Sequence, residues 1–440
     1  MNSLTTSGEA AGGYAHKPKY TAEALRAAAE IASHLREISN LTPPKPEAPA
    51  VSLSCGYAGI SLVHTAWAAQ GDLAARRAAH TYLVAATQKL KTLENPRLGL
   101  HYDLCGLGFA ISVAQQRTGG YDGALAALDA RVVQMAHAFC LHADATTAGP
   151  MMHYDTLDGL AGILRYLLFR GLHKNSATER VLTSLISKVD LTEYKGHKVP
   201  RLWSTVPPNW KSNNSPEVME FGHLNLGLAH GIAGPLAALA LATSEGVVVP
   251  GQESAIVGIV ELFDRFLQED DHGPYWPTIV TASQWEEPRR PLPRGRASWC
   301  YGAPGISQAI QLAGQAMGED SWVRTAQSSV EALLSLPMDQ WGMDHWSICH
   351  GWAGNLQLLS KFATGPNQTR MMSLMDLVAE RLIDPFREGM PAPFEVGVSG
   401  LTPGNQPASL LEGAAGAALV LRSYALPKEE TPWEAAFLMA

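Results

Sequence analysis

Two cysteines and one histidine stand in two similar short motifs in the C-terminal half of the chain. Cys300 lies in SWCYGAPGI (298–306), and Cys349 with His350 lies in SICHGWAGN (347–355). Thiolate sulfur and imidazole nitrogen suit the borderline-soft Zn²⁺, and three protein ligands would leave a fourth position open, as in catalytic zinc sites. From residue type alone, the alternative is that both cysteines are small buried hydrophobic residues.

A Gly-x-x-Gly element accompanies both motifs and recurs along the 440-residue chain. Six copies keep both glycines, at 56–59, 159–162, 231–234, 302–305, 351–354 and 413–416. The stretch 106–110 is interpreted as a seventh, degenerate copy, with Phe109 in the place of the second glycine. Seven copies indicate an internal repeat of one supersecondary unit.

Each copy opens a stretch that is apolar on most faces, as expected of a helix buried on nearly every side. Amphipathic stretches alternate with these apolar ones, at 21–38, 73–94, 122–142, 176–188, 252–268, 319–335 and 369–383. Helical hairpins that bury their apolar faces on one another can close into a ring that leaves no exposed end. The predicted fold is therefore all-α: an α/α toroid, or double barrel of seven inner and seven outer helices, with a small β-containing insertion. We expect one domain over 1–440, with a core at about 20–425 and a flexible segment at 1–18.

The residues just before the glycines carry the chemical information. Around the predicted ring they are Cys55, Cys105, Asp155, Asp158, His230, Cys300, Cys349, His350 and Glu412. Repeats three to six are neighbours in sequence and therefore in the ring, so Asp155, His230, Cys300, Cys349 and His350 should converge on one sector. Taken alone, Asp155 could equally be a capping residue and His230 a satisfied core histidine. Cys55 and Cys105 are expected to be packing residues.

Two long intervals between repeats lack helical periodicity. Residues 189–225 and 269–299 mix β-branched, aromatic, basic and proline residues, which indicates short strands and loops. Both insertions should lie over the end of the barrel that carries the pre-glycine residues. Residues 189–225 form either a binding surface for an extended peptide or a solvated loop region with a structural role only.

Charge and composition exclude several classes of protein. With 33 basic and 41 acidic residues, the net charge of −8 argues against nonspecific nucleic-acid binding. We find no signal peptide and no run of apolar residues long enough for a membrane span. Five cysteines, an odd number, do not suggest a disulfide framework, so a cytoplasmic protein with reduced thiols is expected.

The motifs at 153–164 (HYDTLDGLAGIL), 229–236 (AHGIAGPL), 298–306 and 347–355 resemble those of the LanC family, the lanthipeptide (lantibiotic) cyclases. The resemblance implies that Cys300, Cys349 and His350 bind Zn²⁺. It also implies that Asp155 and His230 are acid–base residues, with Arg296 and Tyr301 in the same site. The family's reaction is the Michael addition of a peptide cysteine thiol to dehydroalanine or dehydrobutyrine, which forms a lanthionine or methyllanthionine ring.

The same resemblance implies partners. The substrate would be a dehydrated precursor peptide with leader and core, and because one toroid uses the whole chain, a separate dehydratase must supply it. A transporter is a further candidate in a cytoplasmic biosynthetic complex that could associate with the membrane through its partners. Neither nucleic acid nor a transmembrane segment is expected.

Three other interpretations stay open from the residues. A LanC-like protein could add glutathione to dehydroamino acids. An α/α-toroid glycosidase would need two opposed carboxylates, for which Asp155 and Glu412 are candidates. The third is a zinc-stabilised peptide-binding module without catalytic activity.

Overall fold

The computed structural model describes residues 17–38, 50–208, 215–288, 291–343, 345–387, 408–429 and 432–440. Residues 1–16 of the segment predicted to be flexible lie outside this described part. Within it, helices dominate and strands occur only as short pairs.

Seven helices with mostly small and apolar residues form the inner wall. They are Tyr57–Ala68, Leu104–Thr118, Leu160–Phe169, Ala233–Ser244, Ala303–Met317, Trp352–Phe362 and Ala414–Ala425. Each contacts the next, and the last contacts the first, so the described inner helices close into a ring. Burial on nearly all sides follows from the sequence; Ala233–Ser244, for example, buries every residue from Ala233 to Ala242.

Seven more helices surround this wall and bury only one face each. They are Thr21–His34, Leu73–Leu90, Asp122–Asp144, Ser176–Ser187, Gln252–Phe266, Asp320–Glu331 and Gln368–Arg387. All seven coincide with predicted amphipathic stretches, and the predicted α/α toroid is confirmed. By length and composition alone, Asp122–Asp144 is also long and apolar enough to cross a membrane, whereas the sequence analysis predicted no such span. It packs against Leu104–Thr118 and Ser176–Ser187 as an outer helix of the toroid.

The second glycine of each repeat lies against main chain. A Cβ on Gly305 would come within 2.1 Å of the Trp299 carbonyl oxygen, and one on Gly354 within 1.9 Å of that of Ile348. In repeat two this position belongs to Gly106, whose Cβ would lie 2.8 Å from the Leu100 carbonyl oxygen.

The predicted register of repeat two is therefore wrong. Because the helix begins at Leu104, Asp103 takes the place of the first glycine and Gly106 is the second. His101 and Tyr102 are then the residues before the motif. Cys105 is not a pre-glycine residue but a fully buried residue of the inner helix, which agrees with its expected packing role.

Main-chain hydrogen bonds link the seven loops that precede the inner helices. Each of these N–H groups donates to a carbonyl of the following repeat, and the seventh bond returns to the first repeat. The pairs, donor first, are Ser54 to His101 (3.1 Å), His101 to Leu157 (3.0 Å), Thr156 to Ala229 (3.1 Å), Ala229 to Cys300 (3.3 Å), Cys300 to Cys349 (3.0 Å), Cys349 to Leu411 (3.0 Å) and Leu411 to Ser54 (3.0 Å). We call this closed set the main-chain ring. It holds the pre-glycine residues of all repeats at one level of the barrel.

The two insertions meet in one small sheet. The first contains the hairpin β1 (Leu191–Tyr194) and β2 (His197–Pro200), then β3 (His223–Asn225). The second contains β4 (Gln268–Asp270), β5 (Gly273–Tyr275) and β6 (Ile279–Thr281), and β6 pairs antiparallel with β3. The prediction that both segments are non-helical is wrong at two places, because short helices form at Pro216–Phe221 and Ala282–Glu286.

A final segment, 432–440, lies inside the barrel. It begins with a 3₁₀ turn over Pro432–Phe437, which contacts the inner helices Leu104–Thr118 and Leu160–Phe169. Its residues from Trp433 to Met439 are buried. This segment supplies apolar side chains to the interior of the ring.

Candidate metal centre and active site

Cys300, Cys349 and His350 come together at the end of the barrel that carries the main-chain ring. Their ligand atoms all lie within 4.8 Å of one another, the one such cluster of three metal-ligating side chains found in the described residues. Ligands of a tetrahedral zinc ion, at about 2.0–2.3 Å from the metal, are roughly 3.3–3.8 Å apart. Two thiols and one imidazole at this spacing fit Zn²⁺ in both chemistry and distance.

The fold positions these three side chains through the loops of repeats five and six. The Cys300 N–H donates to the Cys349 carbonyl across the main-chain ring. The His350 N–H donates to Ser347 Oγ at 3.1 Å, and its ring packs edge-on against His345 with centroids 4.3 Å apart. An adjacent Cys–His pair can aim at one point here because both residues lie in an irregular loop before the helix begins at Trp352.

The two thiols share hydrogen bonds and differ in acidity. Burial opposes ionisation of Cys300, but hydrogen bonds from Cys349 and His350 outweigh it and hold its pKa well below the usual value. The pKa of Cys349 is raised because of its hydrogen bond to Cys300 and because it is buried. Because the pKa of one thiol is lowered and that of the other is raised, the pair favours a single negative charge.

The buried Asp155 pairs with the partly exposed His230 of the following repeat. His230 Nδ1 lies 2.6 Å from Asp155 Oδ2, and the Asp155 side chain is 0% exposed against 27% for His230. Asp155 Oδ1 also accepts the main-chain N–H groups of Asp158 (2.8 Å) and Gly159 (2.9 Å). The carboxylate thus caps its own loop with one oxygen and orients the imidazole with the other.

This pairing sets the protonation of His230. Burial lowers the pKa of an imidazole, but the hydrogen bond and negative charge of Asp155 more than offset it, so the pKa of His230 is raised above its usual value. A carboxylate at Nδ1 also fixes the proton there in the neutral tautomer. Nε2 has no hydrogen-bond partner among the described residues, and it is therefore the nitrogen available to a substrate.

Arg296 and Tyr301 flank Cys300. Arg296 is exposed, and its positive charge favours the thiolate form of Cys349. The Tyr301 hydroxyl accepts a long hydrogen bond of 3.5 Å from the Asn225 amide. Burial raises the pKa of Tyr301, so the phenol stays protonated at neutral pH. Gly227 leaves room for this ring, because a Cβ there would lie 2.4 Å from it.

A second group of polar residues lies in repeats two and three, and its members were not among the predicted site residues. Arg97 Nη2 lies 2.5 Å from Asp158 Oδ2, and its guanidinium stacks 3.3 Å from the centre of the Tyr102 ring. Burial, and then the charge of Asp155, raise the pKa of Asp158 to about 7. The wrong register of repeat two concealed Tyr102, whereas Asp158 was visible as the residue before Gly159.

A closed α/α toroid with a Cys–Cys–His centre and a hydrogen-bonded Asp–His pair defines the class of protein. The profile of the family described as "Lanthionine synthetase C-like protein" matches residues 49–438, and the chain belongs to that family. The predicted family resemblance is confirmed.

Two individual proteins show the same relationship. "Nisin biosynthesis protein NisC" from Lactococcus lactis subsp. lactis is 27% identical over 291 residues, which are 65% of this chain and 64% of that protein. The alignment thus spans slightly less than two thirds of the curated relative. The solved structure "Nisin cyclase" superposes with a TM-score of 0.76 at 24% identity and covers 96% of this chain and 98% of its own. It supports the toroidal fold.

Proposed function

We propose that this chain is a zinc-dependent lanthipeptide cyclase that closes lanthionine and methyllanthionine rings in a precursor peptide. One observation carries the proposal: three ligand atoms of the kind that bind zinc lie within 4.8 Å of one another, at the same end of the toroid as the hydrogen-bonded Asp155–His230 pair. The name of the relative NisC, a nisin biosynthesis protein, supports a peptide substrate.

The metal would be held by Cys300, Cys349 and His350. Bound there, Zn²⁺ would lower the pKa of a coordinated thiol and so supply a thiolate nucleophile at neutral pH. The protein's contribution is to hold the two thiols and the imidazole in irregular loops that the main-chain ring keeps in register.

The reaction requires two proton transfers. A bond forms between the cysteine sulfur and Cβ of the dehydroamino acid, the carbon–carbon π bond breaks, and Cα gains the proton that the thiol lost. His230 is our candidate for the acid at Cα, because its pKa is raised and its Nε2 is unpartnered. Asp155 would orient His230 and stabilise its protonated form.

Arg296 and Tyr301 would act on the developing negative charge. Attack at Cβ moves charge onto the carbonyl oxygen of the dehydroamino acid, and a fixed guanidinium stabilises such an oxyanion. The positive charge of Arg296 favours the thiolate form of Cys349, which supports a place for this guanidinium beside the metal centre. Tyr301, a protonated phenol beside Cys300, would donate a hydrogen bond in the same site.

The remaining roles are proposals of the same kind. A separate dehydratase would supply the dehydrated peptide, and a transporter is a further candidate partner in a cytoplasmic complex that could associate with the membrane through its partners. The segment 189–225, which pairs with the second insertion through β3 and β6, is our candidate surface for the leader within the single domain.

The decisive experiment uses the purified chain, Zn²⁺, a dehydrated peptide that contains cysteine, and glutathione as a competing thiol. Ring closure leaves the peptide mass unchanged but consumes thiols, so mass spectrometry after thiol alkylation should show fewer alkyl groups with time. Glutathione adducts formed in place of rings would overturn the cyclase proposal in favour of intermolecular addition. Unchanged alkylation with neither product would leave only a binding role. The glycosidase interpretation is disfavoured because both Asp155 oxygens are occupied by internal hydrogen bonds.

A further inference from the structure

Segment 432–440 is tied to inner helices from several repeats by polar contacts. Arg165 donates to the carbonyl oxygens of Ala435 (3.3 Å) and Ala440 (2.9 Å), and Gln308 donates to that of Met439 (3.3 Å). Glu434, buried, accepts from Gln357 at 2.8 Å. These partners lie on three different inner helices, so the segment is fixed within the barrel and does not merely fill space.

The end of its 3₁₀ turn meets the loops that carry the candidate active site. The Trp299 indole N–H donates to the Phe437 carbonyl at 3.0 Å, and His101 Nε2 lies 2.8 Å from the Ala436 carbonyl. The Phe437 ring contacts both the Trp299 and the His101 rings edge-on, with centroids 5.2 Å apart in each case. All three side chains are completely buried.

The hydrogen bonds of His101 define its tautomer. A carbonyl only accepts, so Nε2 carries the proton toward Ala436, and Nδ1 accepts from the Ser54 hydroxyl at 3.1 Å. His101 and Ser54 are both members of the main-chain ring. The segment therefore contacts one ring member directly, His101 in repeat two, and in repeat five it contacts Trp299, the residue before the ring member Cys300.

Trp299 connects this attachment to the metal ligands. It directly precedes Cys300, and its carbonyl is held against Gly305, where a Cβ would approach to 2.1 Å. Cys300 in turn donates its N–H to Cys349. The position of the Cys300 backbone is thus set from the barrel interior by Trp299 and from the side by Cys349.

We infer that Phe437 is a positioning residue for the metal centre: it fixes the Trp299 side chain and, through it, the Cys300 thiol. The inference rests on the ligand assignment made above. Groups that hydrogen-bond directly to metal ligands typically change metal affinity by about 10- to 100-fold when they are removed, and Phe437, which acts through Trp299, is expected at the lower end of that range.

The test is Phe437→Ala in the full chain, measured in two ways without any peptide. Competition with a chromophoric chelator should show zinc binding weakened by about 10-fold or more. In chelator-treated protein, peptide mapping after timed iodoacetamide labelling should show faster alkylation of Cys300. Phe437→Leu serves as a second variant that keeps an apolar side chain, and it should show smaller changes of both kinds.

Met439→Ala is the matched control, because Met439 is buried in the same segment and its hydrogen bonds are made by its main chain, whose carbonyl accepts from Gln308 and whose N–H donates to the Glu434 carbonyl. It should leave zinc affinity and Cys300 labelling as in the wild type, even where it lowers the unfolding temperature. Wild-type values in both Phe437 variants would overturn the inference, as would equal changes in Met439→Ala. A wild-type chain without zinc affinity would refute the ligand assignment, whereas the labelling comparison would still decide the role of Phe437.

Discussion

Cys300 and Cys349 are joined by a main-chain hydrogen bond of 3.0 Å in addition to the contact between their side chains. Their thiols are therefore brought together by the backbone, whether or not a metal is bound. The wild-type protein should contain about one zinc ion per chain.

Removing either thiol should abolish stoichiometric zinc binding and ring formation. We expect Cys300→Ala and Cys349→Ala to fold, because alanine fits the space of the buried Cys300 and of the partly buried Cys349, but to retain little zinc when measured by plasma mass spectrometry. Cys55→Ala is the control, since Cys55 lies beside the main-chain ring but outside the cluster. Full zinc content in both cluster variants would contradict the ligand assignment.

His230 should be needed for the chemistry and not for the metal. His230→Ala removes the proposed acid, and we expect ring closure to slow by about 10²- to 10⁴-fold while zinc content stays as in the wild type. Asp155→Asn should also slow the reaction, because an amide cannot stabilise the protonated imidazole as a carboxylate does. Alkylation-coupled mass spectrometry over time gives the rates. A wild-type rate in His230→Ala would exclude the acid assignment.

Gly302 is a position where alanine should be poorly tolerated. Its φ is +100°, and a Cβ would lie 1.7 Å from the Arg296 carbonyl oxygen. Gly302→Ala should therefore cost at least about 2 kcal/mol in urea unfolding and reduce zinc content, because the loop from Arg296 to Tyr301 must move. Gly318→Ala, with φ +71° and open space around the Cβ, should cost roughly 1 kcal/mol. Equal losses would show that backbone strain alone, without the contact to Arg296, accounts for the effect.

His223 should make the protein less stable in acid. It is 0% exposed, neither ring nitrogen has a hydrogen-bond partner in the described part of the chain, and burial lowers its pKa to about 4. The unfolded chain, with an ordinary histidine pKa of about 6.5, binds the proton first. The contribution of neutral His223 to the free energy of unfolding is therefore fully present above about pH 6.5 and is lost as the pH falls toward 4.

Replacing this imidazole should flatten that dependence. For His223→Phe we expect the unfolding free energy to fall less between pH 6.5 and 4.5 than it does for the wild type, by up to about 1.4 kcal/mol per pH unit. His80→Phe, at an exposed position, provides the comparison and should keep the wild-type slope. Parallel pH profiles for His223→Phe and the wild type would show that His223 is protonated in the folded state.

The toroid and the convergence of its ligands could be predicted because repetition turns sequence order into spatial order. The register of repeat two could not be predicted. Asp103 replaces the first glycine there, so the sequence pattern made Gly106 look like the first glycine of the copy when it is the second. The helix after Ser215 did leave a readable signal, since Ser215 Oγ accepts the Val218 N–H and Pro216 follows at the first helical position. The bond from Asp155 to His230 and the contact of Phe437 with Trp299 join residues 75 and 138 positions apart along the chain, which no local pattern encodes.

The bond from Leu411 to Ser54 has a consequence for how this protein denatures. Open solenoids have terminal repeats that fray first and need polar caps to stay soluble. Here every repeat has a neighbour on both sides, so no repeat is terminal. None can unfold separately without breaking its contacts with both neighbours. We expect loss of structure to spread around the circle in a single cooperative step instead of eroding from one end.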